Sequence, residues 1–547
     1  MTAATPPITL PQPVLDRCER VLEYHQHSKF DERSTPVSAR GPVKVWNDPV
    51  LYPGVPRTPL PTNILDLPVP TLDLLRQLKD CLPESMSNPP QNARTLASWL
   101  FMATGVIRSK KQGGIEVRTC PSAGYLHPCE IYVLAGGIDG IEPGLYHFSP
   151  GEFCLRKLRD GHTAVAVLKR GRPDLEFLKT VPAAIIVNGA YYRSARRFGQ
   201  RAYRAMLVEC GQLLENFAKI GEALGFTTLT RFRVPQGNVD DLISIPDDAP
   251  FALCEATAGM VVWGDAAARP IGPRPADLQL PSPLPRFDRA APGDVISLGS
   301  LLATHEDCIA PGVAVREVHP PLTDLSPLPP TIPLMDRHPR EEHAPGGLLS
   351  KALLKNTFCG AFVRRAIPRD DFIRLNRLTF RGGTYQPLQP DGAHVATVRP
   401  FWIIHDVIGF EPGVWYYDVI HDKWSVLARG EYRLESGYLA LEDKSVVDAA
   451  AICVMAANLR YLLTQAGPDL YRMAHTEAGA CAQRLYLAAA SCGHGTRLLP
   501  AFYDDTVRKF LGLEHSGWEP LTLMALGAPP GTQAAASPDE DRLSLRD

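Results

Sequence analysis

One displacement, repeated along the chain, constrains this sequence more than any local motif. "IDGIEPGLYHF" from Ile138 and "VIGFEPGVWYY" from Val407 align at a shift of 269 residues, which places Gly140, Glu142, Pro143 and Gly144 on Gly409, Glu411, Pro412 and Gly413. "YRAMLVECG" from Tyr203 and "YRMAHTEAG" from Tyr471 align at 268, as do Gly225 with Gly493 and Gly259 with Gly527. Several matches in one order at a nearly constant spacing mean a duplicated domain. The chain, at 547 residues, also exceeds the roughly 250–300 at which a single core stops growing, so two cores are expected.

The first unit is placed at 61–268 and the second at 346–530, behind an N-terminal arm of residues 1–60. Between them, 269–345 runs from "RPIGPRPADLQLPSPLPRF" to "HPPLTDLSPLPPTIPLMDRHPREEHAPGG". Proline at that density removes backbone donors and fixes φ, so this stretch is a linker or wrapping arm. The tail 531–547 has the composition of a disordered segment.

Within a unit, helix and sheet signals mix. "EIYVLAGG" and "GLYHF" alternate as adjacent strands joined by a turn, and "PAAIIVNGA" reads as a buried strand followed by a helix. Leu207, Cys210, Leu214, Phe217, Gly221 and Leu224 then recur at helical steps and end before Gly225; Cys481, Leu485, Ala488 and Cys492 do the same before Gly493. The fold class is α+β. Gly211 and Gly479 weaken these helices, and close helix–helix approach accounts for the pair.

Composition narrows the partners. The 57 Lys+Arg residues nearly balance 59 Asp+Glu, so no global basic field argues for nucleic acid or an acidic membrane surface. The 12 cysteines include no CxxC pair and fit reduced thiols. No apolar run reaches the ~18 residues of a membrane span, and the N-terminus lacks a signal pattern, which implies a cytoplasmic protein. "HQH" at His25–His27 has no dense Cys/His cluster beside it, so no metal is expected.

"PSAG" at 121–124 has two readings. Pro and Gly serve an ordinary turn before the next strand. Alternatively, small residues let backbone N–H groups approach a flat or anionic ligand.

Taken together, Arg118 with "PSAG", the "EPGLYHF" hairpin, "RRFGQRAYRAMLVECGQLLENFAKIGEALGF" and the "YHQHSKF" arm resemble the SagB/ThcOx-type branch of the nitroreductase-like flavoproteins. The second unit carries the likeness more loosely, in "EPGVWYYD", "YRMAHTEAGACAQRLYLAAASCGHGT" and "FYDDTVRKFLGL". The resemblance implies a fold that dimerises with FMN at the interface, so two tandem units would form an intrachain pseudo-dimer. It implies that Pro121, Ser122, Ala123 and Gly124 line the flavin. Arg118, Arg204, Arg472 and Arg497 are further candidates for holding FMN, with Arg497 facing its phosphate. The implied activity is FMN-dependent oxidation of thiazoline or oxazoline rings to thiazole or oxazole in a ribosomally made peptide. A base removes a ring proton, hydride passes to the flavin, and oxygen reoxidises it. The implied partners are the modified precursor peptide and a cyclodehydratase complex.

The departures from that pattern fall on function. The family's Arg-rich phosphate-binding segment is replaced by "KDCLPESMSNPP" and "LLKNTFCGAFVRR", in which Lys355, Arg364 or Arg365 are the available substitutes. Arg197-Phe198 stands where azoline oxidases carry Lys-Tyr, and neither residue can accept a proton near neutral pH. Tyr203 and Tyr461 are the nearest candidate bases. The second unit has "PDGA" at 390–393 in place of "PSAG", so a single surviving flavin site would be the one at Pro121–Gly124, completed by the second unit. Tyr203 with Arg204 and Tyr471 with Arg472 recur in both copies, as structural residues also do, and Glu209 and Glu477 can cap or pair with those arginines. Two further functions stay open: a non-catalytic scaffold of a peptide-modification complex, and an NAD(P)H-dependent nitro or quinone reductase.

Because each unit alone would expose a face meant for the other, the second unit expressed by itself is expected to self-associate or precipitate, which analytical ultracentrifugation would register. A monodisperse monomer would count against the fused dimer.

Overall fold

The computed structural model describes residues 10–39, 52, 55–76, 89–107, 116–231, 234–243, 255–264, 347–355, 360–381, 397–419 and 421–531. The proline-rich stretch 269–345, the "PDGA" segment and residues 532–547 lie outside them.

The duplication is visible in the strand order. The first unit contains β1 (Arg57–Pro59), β2 (Cys129–Ala135), β3 (Gly144–Ser149), β4 (Cys154–Asp160), β5 (Ala183–Ala190), β6 (Thr227–Arg231) and β7 (Glu255–Gly264). The second contains β8 (Arg399–Ile404), β9 (Gly413–Asp418), β10 (Lys423–Arg429), β11 (Ala451–Asn458), β12 (Gly495–Leu499) and β13 (Trp518–Gly527). The sheets run β1-β4-β3-β2-β5-β7-β6 and β10-β9-β8-β11-β13-β12, antiparallel throughout. Without β1, which the arm adds to one edge, the two orders are identical. The expected α+β class and the tandem pairing of units both hold.

Each sheet carries one long central helix, Ala202–Ala223 in the first unit and Leu470–Ser491 in the second. Both stop before a glycine in the left-handed region, Gly225 (φ 90°) and Gly493 (φ 78°). The periodicity of the sequence marks one apolar stripe, yet every residue of Ala202–Ala223 except Glu222 is buried. The helix lies between its own sheet and its counterpart, so no face is left for water.

The two central helices pack at backbone distance. A Cβ on Gly211 would stand 1.9 Å from the Thr476 carbonyl oxygen, and one on Gly479 would stand 1.8 Å from that of Val208. At the repeat spacing of 268, Val208 corresponds to Thr476 and Gly211 to Gly479, so this is one contact made in both directions. The same holds further along. Arg484 Nε donates to Glu215 Oε1 at 2.7 Å and Gln483 Nε2 donates to Asn216 Oδ1 at 2.9 Å, and these positions also exchange under the repeat. Reciprocal contacts of this kind define an isologous interface, here within one chain. One apolar core runs across it, including Leu207, Cys210, Ala478 and Leu485, while each unit keeps a second core on the outer face of its sheet.

The arm closes the junction. Its helix, Gln12–His27, places the Tyr24 ring between Tyr203 and Tyr471 at centroid distances of 6.1 and 6.2 Å, and the Tyr24 hydroxyl donates to the Gln200 carbonyl at 2.5 Å. His25 Nδ1 lies 3.1 Å from the Tyr471 hydroxyl. Among the described residues, no helix is long and apolar enough to cross a membrane.

Gly479→Ala is expected to lower the urea midpoint, because the backbone it strikes cannot retreat without separating the helices. The loss should be about 1–3 kcal/mol or more. Gly237→Ala is the control: its Cβ would meet nothing within 4 Å, and stability should be unchanged or slightly raised.

Candidate active-site crevice

The "PSAG" segment folds as a strained loop at the junction of the units. Gly124 (φ 66°), Tyr125 (φ 57°) and His127 (φ 44°) all adopt left-handed backbone conformations, which non-glycine residues hold only when their surroundings impose them. The restraint is visible. The Ser122 hydroxyl accepts from the His127 N–H at 2.9 Å and pairs with Glu209 Oε2 at 2.5 Å. The Ala123 N–H also reaches the Glu209 carboxyl. Burial pushes the Glu209 carboxyl up to about 8, against the pull of Ser122 and Ala123. Its Oε1 is buried and has no hydrogen-bond partner among the described residues.

Glu477 repeats this arrangement in the second unit, where it accepts the Thr397 N–H at 2.8 Å and the Thr397 hydroxyl. The two glutamates therefore hold the loops that lead into β2 and β8. The expectation that they pair with the arginines after Tyr203 and Tyr471 is corrected by these contacts.

The loop faces the other unit across a narrow crevice of about 10 Å³. Pro121, Ser122, Ala123 and Gln212 form one wall; Tyr486, Thr496, Leu498 and Met524 of the second unit form the other. Gln212 lies one turn beyond Glu209, and its buried Oε1 has no partner among the described residues. That volume is room for about one water and far below the roughly 300–1,000 Å³ of small-molecule sites, so a ring system enters only if the walls part. At the Gly124 end, Arg197 Nη1 lies 3.1 Å from where a Cβ would be.

The remaining sequence candidates are distributed elsewhere. Arg118 lines a separate pocket of about 100 Å³ in the first unit, with Arg118 Nη2 3.4 Å from Glu116 Oε2 and with His127, Glu130 and Arg193 nearby. Arg204 is buried and bonded to Asp504 Oδ1 at 2.8 Å, beside Arg201, which holds the other carboxylate oxygen. Burial opposes the charge of Asp504, yet the two arginines keep its carboxyl below the ordinary range. Tyr203 packs on the arm, and its ring is an interface element. Tyr461 sits in the first turn of the helix Leu459–Ala466, its N–H donating to Asn458 Oδ1 at 3.1 Å. At the repeat spacing it corresponds to Arg193, whereas Arg197-Phe198 corresponds to Gln465-Ala466. Arg472 is partly buried on the second central helix and does not line the crevice. Of the substitutes for the Arg-rich segment, Lys355, Arg364 and Arg365 are exposed, and Arg364 pairs with Asp448 at 2.6 Å.

Arg497 does not line the crevice, because along a strand it faces away from Thr496 and Leu498, which do. It follows Thr496 on the edge strand β12, with Nη2 2.7 Å from Asp443 Oδ2 and Nη1 bonded to Ser445 and, at 3.1 Å, to the Gly360 carbonyl. Sequence reasoning missed Gln212, Tyr486, Leu498 and Met524 because none carries a motif. Thr496 alone had a signal, since the repeat places it on Thr228.

Comparison with known proteins agrees with this architecture. The Nitroreductase family model matches residues 68–257 and 411–528, together more than half of the chain. The chain belongs to the nitroreductase family. Two proteins named "putative nitroreductase" are similar to it. MJ1384 of Methanocaldococcus jannaschii is 27% identical over 194 residues, covering 34% of this chain and 92% of that protein. A crystal structure from Anabaena variabilis superposes with a TM-score of 0.63 at 20% identity, covering 93% of this chain and 99% of that one, so the two-unit fold occurs there in a single chain. The E. coli microcin synthetase McbBCD complex with truncated pro-MccB17 contains a chain 19% identical over 46% of this one and 94% of its own, with a TM-score of 0.29, too low to carry an argument about function.

Glu209 predicts a pH dependence. Its carboxyl keeps a proton to about pH 8 in the folded state but only to its ordinary value of 4.5 when unfolded, so its contribution to stability falls as the pH rises through that window. Glu209→Gln should match wild type in urea denaturation at low pH and gain on it toward pH 8, by up to about 1.4 kcal/mol per pH unit. Parallel curves for the two proteins would show that Glu209 titrates normally.

Proposed function

We propose that this chain is an FMN-dependent oxidoreductase with one flavin site, in the crevice between Pro121–Gly124 and the second unit. The observation that carries the reading is the composition of that crevice. A strained small-residue loop, a buried amide acceptor without a partner at Gln212 and strand residues of the other unit meet at one place. With the walls parted, these groups would meet the edge and face of a flavin ring, and the paired units supply the two walls that such a ring needs.

Bound FMN would supply hydride transfer. The chain's own residues have three tasks. The loop presents backbone N–H groups to the ring, the Gln212 amide orients it, and the apolar walls at Leu498 and Met524 exclude water. Proton transfer falls to Glu209 through Ser122: their 2.5 Å hydrogen bond joins a carboxyl pushed up to about 8 to a hydroxyl lining the crevice. This pair takes the part assigned above to Tyr203 or Tyr461, whose surroundings are the arm and the first turn of a helix.

The resemblance in "PSAG", "EPGLYHF" and the first central helix supports an azoline ring in a ribosomally made peptide as the substrate, formed by a cyclodehydratase. Oxidation to the azole removes one hydride and one proton. A second reading, reduction of a nitroaromatic or quinone with NAD(P)H, is favoured by Arg197-Phe198, because that reaction requires no side-chain base to deprotonate a ring.

The test is flavin titration followed by turnover. Wild type should bind FMN with one-to-one stoichiometry, and Gly124→Trp should weaken binding at least tenfold, since φ 66° and the Arg197 side chain leave no place for an indole. Azole formation from an azoline peptide, lost in Ser122→Ala, supports the first substrate class; NAD(P)H-dependent quinone reduction without azole formation supports the second. Equal FMN affinity in the tryptophan variant would move the site elsewhere, and no FMN binding by wild type would leave a scaffold.

A further inference from the structure

Two thiols meet behind the Pro121–Gly124 loop. Cys129 opens β2, where the loop runs into the sheet, and Cys210 follows Glu209 on the central helix. Their sulfurs lie 3.5 Å apart in the core between sheet and helix, one short closure from the roughly 2 Å of a disulfide bond. Packing alone does not require sulfur there. At the repeat spacing the second unit carries Val398 and Ala478 in the same places, both buried.

The two thiols differ in access. Cys210 is fully buried, whereas Cys129 is 8% exposed and lines the pocket of about 100 Å³ that also holds Arg118 and His127. Ile131, on the same face of β2, lines that pocket too. Its volume admits a molecule the size of a few waters. The contact with Cys210 and then burial raise the Cys129 thiol well above its ordinary value, so it reacts slowly and answers sustained oxidant only.

We propose that Cys129 and Cys210 form a reversible redox switch, in which hydrogen peroxide entering the pocket converts the pair to a disulfide. First the Cys129 sulfur attacks one peroxide oxygen: an S–O bond forms, the O–O bond breaks, and the thiol proton leaves with the displaced oxygen as water. Cys210 then attacks the sulfenic sulfur: the S–S bond forms, the S–O bond breaks, and a second water carries away the Cys210 proton. The pair gives up two electrons and the peroxide takes them; a dithiol reverses the change by exchange. The bond fixes the end of the loop that carries Ser122 to the helix that carries Glu209 and Gln212. Because the crevice holds only about one water until its walls part, a loop fixed in this way resists opening. That consequence rests on the flavin reading, whereas the disulfide does not. Under that reading oxygen reduced by two electrons yields hydrogen peroxide, so the oxidant is a product of the chain's own turnover.

The experiment exposes full-length wild type, Cys129→Val and Cys210→Ala to hydrogen peroxide, removes the excess, and alkylates the remaining thiols after unfolding. Both substitutions install the residue that the second unit buries at the equivalent position, which preserves the packing. Wild type should lose two of its 12 alkylatable thiols and yield one cross-linked peptide containing Cys129 and Cys210, with both thiols restored by dithiothreitol. Cys210→Ala should instead hold a sulfenic acid on Cys129 that dimedone traps, and Cys129→Val should give neither product. FMN titration of reduced and oxidised protein should show about fivefold weaker binding after oxidation in wild type and no difference in Cys129→Val. A cross-link in a protein that binds no FMN in either state upholds the switch and removes the flavin reading. A cross-link with unchanged FMN affinity overturns its control of the crevice. Full alkylation of wild type after peroxide, or a cross-link that joins other cysteines, overturns the proposal itself.

Discussion

The structure depends on one backbone contact. Where the central helices cross, Gly211 faces the Thr476 carbonyl and Gly479 faces the Val208 carbonyl, with no room for a methyl group on either side. This approach sets the distance between the two sheets and therefore the width of everything built between them. A crevice with one wall on each unit, such as that between Ala123 and Leu498, inherits its dimensions from this crossing. Around it, both helices are buried on nearly every face, which obliges their polar side chains to find partners inside.

Those partners show how a duplicated unit diverges. The exchange-related contacts Glu215–Arg484 and Asn216–Gln483 occupy equivalent places, yet one is an ion pair and the other an amide pair. A homodimer would have to use the same two residues twice. A fused dimer is free of that constraint, and it has assigned different residues to each side: Asp504 gathers Arg201 and Arg204, whereas the positions corresponding to Arg201 and Asp504 are Asp469 and Gln236.

The arm adds a further asymmetry. A single helix lays Tyr24 between Tyr203 and Tyr471, so one copy of the segment serves both repeat tyrosines. The recurrence of Tyr-Arg in both units therefore has a structural cause in Tyr203, Tyr471 and Arg204, namely packing and ion pairing at the junction. Recurrence in a duplicated chain marks whatever both halves need, and at the N-terminal ends of these helices that need is assembly.

Much of the architecture was legible in the residues. The displacement of 268–269 announced the two units, the helical spacing ending at Gly225 and Gly493 located the central helices, and two glycines in buried helices announced their crossing. These are local or periodic properties, written in the order of the chain. Which groups meet in the crevice was decided only by the tertiary structure. Ser122 and Glu209 are separated by 87 residues, and the facing wall residues Ala123 and Leu498 by 375; Gln212, Leu498 and Met524 carry no motif at all. A repeat shows that two units exist and which positions are equivalent. It cannot show that Arg204 is committed to Asp504 while Arg197 turns toward Gly124, because that depends on which side chains the glycine crossing brings within reach across the interface.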